Sequence, residues 1–126
     1  MPILHIKALP QKDSSKIEGA LKKACLAIAD CYGCKPEHVW ATWEELRTDW
    51  YVEGGLSVEV QPQKTHPPIV TLTCFEGGSS AKVEELLLLT SRALSEELGI
   101  DDNIFITYHE AKSGEVAAGN KIIKLH

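Results

Sequence analysis

The hydrophobic pattern of this chain runs through the same sequence of periods twice. ILHIKAL (3–9) and IVTLTCF (69–75) alternate or cluster apolar, β-branched side chains in the manner of strands. Each is followed by a polar stretch, PQKDSS and EGGSS, in which Ser14 or Ser15 and Ser79 or Ser80 can cap a helix. Ile17, Ala20, Leu21, Ala24, Ile28 and Tyr32 then share one face at helical spacing, as do Val83, Leu86, Leu87, Leu94 and Leu98. Gly33 and Gly99 stand where each helix should stop, in the left-handed conformation that glycine adopts without strain. HVWATWE (38–44) and NIFITYHE (103–110) are the next strand-like runs. Each half therefore reads β-α-β.

A shift of 66 residues lays Pro2-Ile3 on Pro68-Ile69, and Lys16, Glu18, Leu21, Ala27, Gly33 and Glu44 on Lys82, Glu84, Leu87, Ala93, Gly99 and Glu110. A βαβ crossover makes its strands parallel and is nearly always right-handed. The expected fold is thus α+β: tandem repeats, 2–60 and 66–126, forming a four-stranded mixed sheet with both helices on one face. The whole chain, 1–126, forms one domain.

The other sheet face must also be accounted for. By period-two alternation His38, Trp40 and Thr42 point one way and Val39, Ala41 and Trp43 the other, so both faces carry a tryptophan. Leu86 to Leu89 cannot share one helical face at about 100° per residue. Both features imply contact with another subunit. Between the repeats, Glu53-Gly54-Gly55-Leu56 is expected to turn a hairpin with Leu56 to Val60 as an additional strand, and Gln61 to Pro68 to form a connecting loop.

Composition narrows the class. The net charge of −5 argues against nucleic acid or an anionic membrane as the principal partner. The longest apolar run is far short of a membrane span. No basic segment followed by an apolar one marks a signal peptide, which points to the cytoplasm. Cys25, Cys31, Cys34 and Cys74 then read as thiols. Cys31-Tyr-Gly-Cys34 ends a helical pattern, whereas a redox C-x-x-C belongs at a helix N-terminus where the dipole activates the thiol. His5, His38, His66, His109 and His126 show no metal-ligand spacing and read as structural or surface residues. No cofactor or metal is expected.

A proline behind Met1, tandem βαβ repeats and a glycine hairpin after the second strand resemble the tautomerase superfamily, in its fused, macrophage migration inhibitory factor-like form. The resemblance covers nearly the whole chain. It implies that Pro2 occupies the position of the catalytic N-terminal proline. Lys12 falls where the 4-oxalocrotonate tautomerase pattern has a substrate-binding arginine, and Trp40 where it has a second. Tyr51, in Trp50-Tyr-Val-Glu-Gly-Gly55, falls on the aromatic wall of the pocket. Phe105 and Thr107 fall on a pocket tyrosine and asparagine of the inhibitory-factor branch, and Lys35 lies within one residue of its pocket lysine. The resemblance also implies a homotrimer. Loss of the arginines disfavours a dicarboxylate and suits a monoanionic, partly aromatic substrate.

The chemistry expected is keto–enol tautomerisation of a small 2-oxo acid or related enolisable carbonyl compound. Such a reaction needs a base that titrates near the working pH. An α-amino group starts near ~7.7–8.0, and an apolar pocket lowers it further. Pro2, once exposed by removal of Met1, would be a rigid secondary amine of this kind. With Met1 attached its nitrogen is a tertiary amide without a proton-accepting lone pair. Lys12 could orient a carboxylate and Tyr51 could donate to an enolate oxygen. Two other readings stay open: a non-catalytic binding protein of the same fold, and a ferredoxin-like βαββαβ ligand-sensing domain, which strand order distinguishes.

Overall fold

Alternation along 3–9 and 69–75 produces the central strands of the sheet. In the structure, a computed structural model that describes residues 1–125, these are β1 (Ile3–Ala8) and β3 (Ile69–Phe75). Strand β2 (Trp40–Glu45) pairs parallel with β1, β4 (Phe105–Ala111) parallel with β3, and β1 antiparallel with β3, in the order β2-β1-β3-β4. The strands of each repeat are direct neighbours, joined by α1 (Ile17–Tyr32) or α2 (Ser80–Leu98). A ferredoxin-like sheet would separate them, so that alternative is excluded.

Leu4, Ile6 and Ala8 of β1 and Val70, Leu72 and Cys74 of β3 point at the helices and are fully buried. They meet Ala20, Ala24 and Ile28 of α1 and Leu86 and Leu94 of α2. Burying one such leucine or isoleucine stabilises the fold by roughly 1.5–3 kcal/mol. The helices lie against each other, with Glu97 Oε1 only 3.1 Å from where a Cβ on Gly19 would sit. Leu88 stays 64% exposed, as the run of four leucines requires. No described helix is long and apolar enough to cross a membrane.

The helix boundaries mix agreement and correction. Ser79 caps α2, its side chain accepting from the Lys82 N–H, and Gly33 and Gly99 end the helices at φ +84° and +67°. Neither Ser14 nor Ser15 caps α1. A 3-10 turn over Ser14–Lys16 precedes that helix, and Asp13 caps the turn by accepting from the Ser15 N–H at 3.1 Å. A carboxylate accepts that bond more strongly than a hydroxyl does.

Strand register shows that the repeat is not gapless. Gly33 precedes Trp40 by seven residues and Gly99 precedes Phe105 by six, yet Trp40 pairs Ile3 and Phe105 pairs Ile69. One residue is lost between α2 and β4. Glu44 therefore corresponds to His109 and not to Glu110, because a slip of one residue reverses every side chain in a strand.

Glu53 and Leu56 exchange backbone hydrogen bonds of 3.0 Å around Gly54, so the expected turn is present. The strand expected from Leu56 to Val60 is not. The backbone there bends around buried Gln61 and His66, which take over the local hydrogen bonding. Gln61 donates to the carbonyls of Pro62 and His66, and His66 Nε2 lies 2.9 Å from the Leu56 carbonyl. An unexpected hairpin, β5 (Val116–Ala118) with β6 (Lys121–Ile123), follows β4. Gly119 and Asn120 turn it at φ +55° and +71°. His126 lies outside the described residues.

Candidate active site

The sheet face turned away from the helices carries three rows of side chains. In register they run Trp40–Ile3–Thr73–His109, Thr42–His5–Thr71–Thr107 and Glu44–Lys7–Ile69–Phe105. The middle row is polar. The His5 ring is bonded to the Thr42 hydroxyl at 2.5 Å, and Thr107 to the His109 ring at 3.0 Å. Trp40 and Phe105 are 58% and 57% exposed at opposite ends of this face.

Pro2 is buried at the head of β1, where proline's missing N–H removes no ladder bond. Its carbonyl accepts from the Trp40 N–H at 3.1 Å, which ties the start of β2 to it. Beside it opens a cavity of about 400 Å³, lined by Met1, His38, Trp40, Phe75, Val116, Ala118 and Ile123. The C-terminal hairpin supplies three of these walls. It is held there by Glu76, at the end of β3, whose carboxylate accepts from the Ser113 N–H at 2.7 Å. Lys35 stands just outside, exposed, at the start of the 3-10 turn Pro36–His38.

The other residues picked out by the resemblance lie elsewhere. Lys12 follows β1 and borders a polar hollow with Gln61, Gln63 and Gly99. Phe105 borders another with Gln63, Pro67 and Asn103. The Tyr51 hydroxyl donates to the Pro67 carbonyl at 2.6 Å, and its ring packs edge-on against His66. Burial, and then the Glu53 carboxylate, push this phenol above its usual range. All three thus belong to the end of the sheet where β1 finishes, five residues of strand from Pro2, or about 17 Å. Thr107 lies between, in the middle row. Of these residues Trp40 is bonded to Pro2 within one protomer, and Lys35 precedes the turn that leads to it.

Cys25, Cys31 and Cys74 are not activated. Burial pushes the Cys31 thiol up, and the Glu85 carboxylate 3.2 Å away adds to this. Burial also raises Cys74, partly offset by a Tyr108 hydrogen bond and by the nearby amino terminus. All four cysteines are free. His66 is structural, as expected, and buried. His38 is exposed, in keeping with a surface position, and also lines the cavity beside Met1. Alternation along the sequence pairs it with Trp40, but in the structure His38 ends the 3-10 turn Pro36–His38 and the strand begins only at Trp40. Among the described residues, no group of three or more His, Cys, Asp and Glu is placed to hold a metal ion.

No protein-family model matches the chain, nor does any curated protein. Solved structures do. Native fused 4-OT superposes with a TM-score of 0.82 at 16% identity, covering 95% of this chain and 94% of its own. The chain has the tautomerase fold. The wild type of fused 4-OT is also described as symmetric and asymmetric trimers. Malonate semialdehyde decarboxylase matches at 0.72 and 18% identity, over 93% of this chain and 90% of its own. Macrophage migration inhibitory factor of Toxoplasma gondii matches at 0.67 and 18%, over 96% and 97%.

Proposed function

We propose that this chain is a keto–enol tautomerase that acts in the cytoplasm on a small 2-oxo acid or related enolisable carbonyl compound. The base is Pro2, after Met1 has been removed. The observation that carries this reading is the cavity at the head of β1. Met1 itself forms part of its wall, so its removal would both free the Pro2 nitrogen and enlarge the cavity. The remaining walls are mostly apolar and favour the neutral amine, the form that accepts a proton. Trp40 and Phe75 suit a substrate with an aromatic body.

A homotrimer completes the site. Lys12, Tyr51, Phe105 and Thr107 are too far from Pro2 in their own protomer and serve the Pro2 of a neighbour. Lys12 and Lys35 supply the positive charge for a single carboxylate. Tyr51 contributes its ring, since its hydroxyl is already bonded to Pro67.

The second reading, a non-catalytic binding protein, is favoured by one observation: the pocket beside Pro2 has no lysine or arginine among its lining residues. Phenylpyruvate, with ultraviolet detection of the enol, separates the two. The tautomerase reading expects turnover that rises with pH through the amine's titration, and a Pro2→Ala variant that retains part of it as a primary amine. Binding without turnover supports the second reading.

A further inference from the structure

We propose that His38, in the wall of the cavity beside Met1 and Pro2, is the proton donor to the carbonyl oxygen of the substrate; this rests on the tautomerase reading above. Enolisation moves charge onto oxygen as the base removes a proton from carbon. In an apolar pocket an oxygen left without a partner costs far more than one that is hydrogen-bonded. Some group beside Pro2 must therefore meet that oxygen.

His38 is placed to do so. Of the seven residues that line the cavity, His38 alone has a titratable side chain. The rings of His5, His66 and His109 are each engaged by a protein neighbour, whereas His38 is an exposed residue of the cavity wall. Its backbone is fixed by a 3-10 turn that begins at Pro36. His38 N–H donates to the Lys35 carbonyl at 2.9 Å, and Val39 N–H to the Pro36 carbonyl at 3.0 Å. Two residues later Trp40 is tied to Pro2. The imidazole and the Pro2 nitrogen are thus carried by adjacent, hydrogen-bonded backbone, a stiff arrangement for two groups that act on one substrate.

The step balances. The Pro2 nitrogen takes a proton from the carbon next to the carbonyl, and the C–H electron pair becomes the C=C bond. The carbonyl π pair moves to oxygen, which takes a proton from the His38 imidazolium. Pro2 is left protonated and His38 neutral, and exchange with water resets both. In ketonisation His38 takes the enol proton and Pro2 returns one to carbon. An imidazole nitrogen can both give and take a proton, so His38 can serve in both directions. The neighbouring apolar walls assign the rest of the substrate: an aryl or branched alkyl group attached to the enolisable carbon.

The test compares the Met1-trimmed enzyme with its His38→Ala and His38→Gln variants on phenylpyruvate. His38 is exposed, so neither substitution disturbs the core. His38→Ala should lower kcat by about 100-fold or more, the scale of lost general acid catalysis, with little change in KM. Added imidazole should restore part of the loss, and His38→Gln, which keeps an N–H donor, should fall between the two. An active parent with His38→Ala unchanged, or with a loss that imidazole does not restore, overturns the assignment and leaves Pro2 as base. An inactive trimmed parent overturns the tautomerase reading and this assignment with it.

Discussion

Trp40 donates its backbone N–H to the Pro2 carbonyl at 3.1 Å, and this bond brings the start of the second strand to the start of the first. The other repeat makes the same contact, with Phe105 donating to the Pro68 carbonyl at 3.1 Å. Each pair sits beside a cavity, one lined in part by Trp40 and the other by Phe105. The difference lies in covalent chemistry. Pro68 is held by amide bonds on both sides in mid-chain, whereas Pro2 follows Met1. With Met1 removed, the first of these equivalent places would present an amine, which the second would not.

The C-terminal hairpin walls the Pro2 cavity because Glu76 anchors Ser113. Glu76→Ala should loosen that wall, since a charge-assisted hydrogen bond contributes roughly 1.5–3 kcal/mol. The expected result is a raised KM for an aromatic substrate and a melting temperature lowered by several degrees. An unchanged KM would show that the hairpin does not shape the site.

Buried His66 holds the 53–66 loop through the Leu56 carbonyl, while its own N–H donates to Glu53 Oε1 at 3.2 Å. His66→Ala should cost about 2–3 kcal/mol, through the lost bond and the unpaired carbonyl left behind. Tyr51→Phe removes one hydrogen bond to Pro67 and should cost about 1 kcal/mol. Denaturant midpoints check both, and a larger loss for Tyr51→Phe than for His66→Ala would contradict the assigned roles.

Cys31 should react slowly with iodoacetamide at neutral pH, because burial and then Glu85 hold its thiol above the ordinary range. Only the thiolate is nucleophilic. Glu85→Gln removes one of the raising causes, lowers the pKa and should quicken alkylation. Lys82 pulls the thiol down, so Lys82→Met should slow it. Mass spectrometry of the labelled peptide reads both directions, and a change of opposite sign in either variant would refute this account of the thiol.

Ile69 is 40% exposed in the bottom row of the open face, in a central strand. If neighbouring protomers cover that face, Ile69→Asp should leave the protomer folded and break its assembly, since a buried unpaired carboxylate is costly. Light scattering should show a trimer for the parent chain and a smaller species for the variant. A parent that is monomeric at micromolar concentration would contradict the trimer.

The strands, the helices and the glycine stops were legible because each rests on local chemistry: period-two or helical spacing, and a left-handed stop at Gly33 and Gly99. The hairpin at 116–123 had a signal, the Gly119-Asn120 turn between apolar runs, but its strands are only three residues each. The one-residue slip before β4 was invisible, because pairing partners and not identities set register. Pro2, Trp40 and the neighbouring Lys35 could be grouped from order along the chain. The separation of Phe105 from them could not, since it follows from the antiparallel pairing of β1 with β3, whereas Lys12 and Tyr51 are separated by the lengths of β1 and β2. Alternation grouped His38 with Trp40 and Thr42, but as a functional group it was weighed only for metal spacing.

The central claim is that a free Pro2 amine does the chemistry. The most direct measurement compares phenylpyruvate tautomerisation by two preparations of known intact mass, one trimmed of Met1 and one retaining it. The account predicts turnover for the trimmed form and almost none for the other, because an amide nitrogen cannot accept the proton and Met1 fills part of the cavity. Equal activity of the two forms would contradict it and leave Pro2 as the opening residue of a strand.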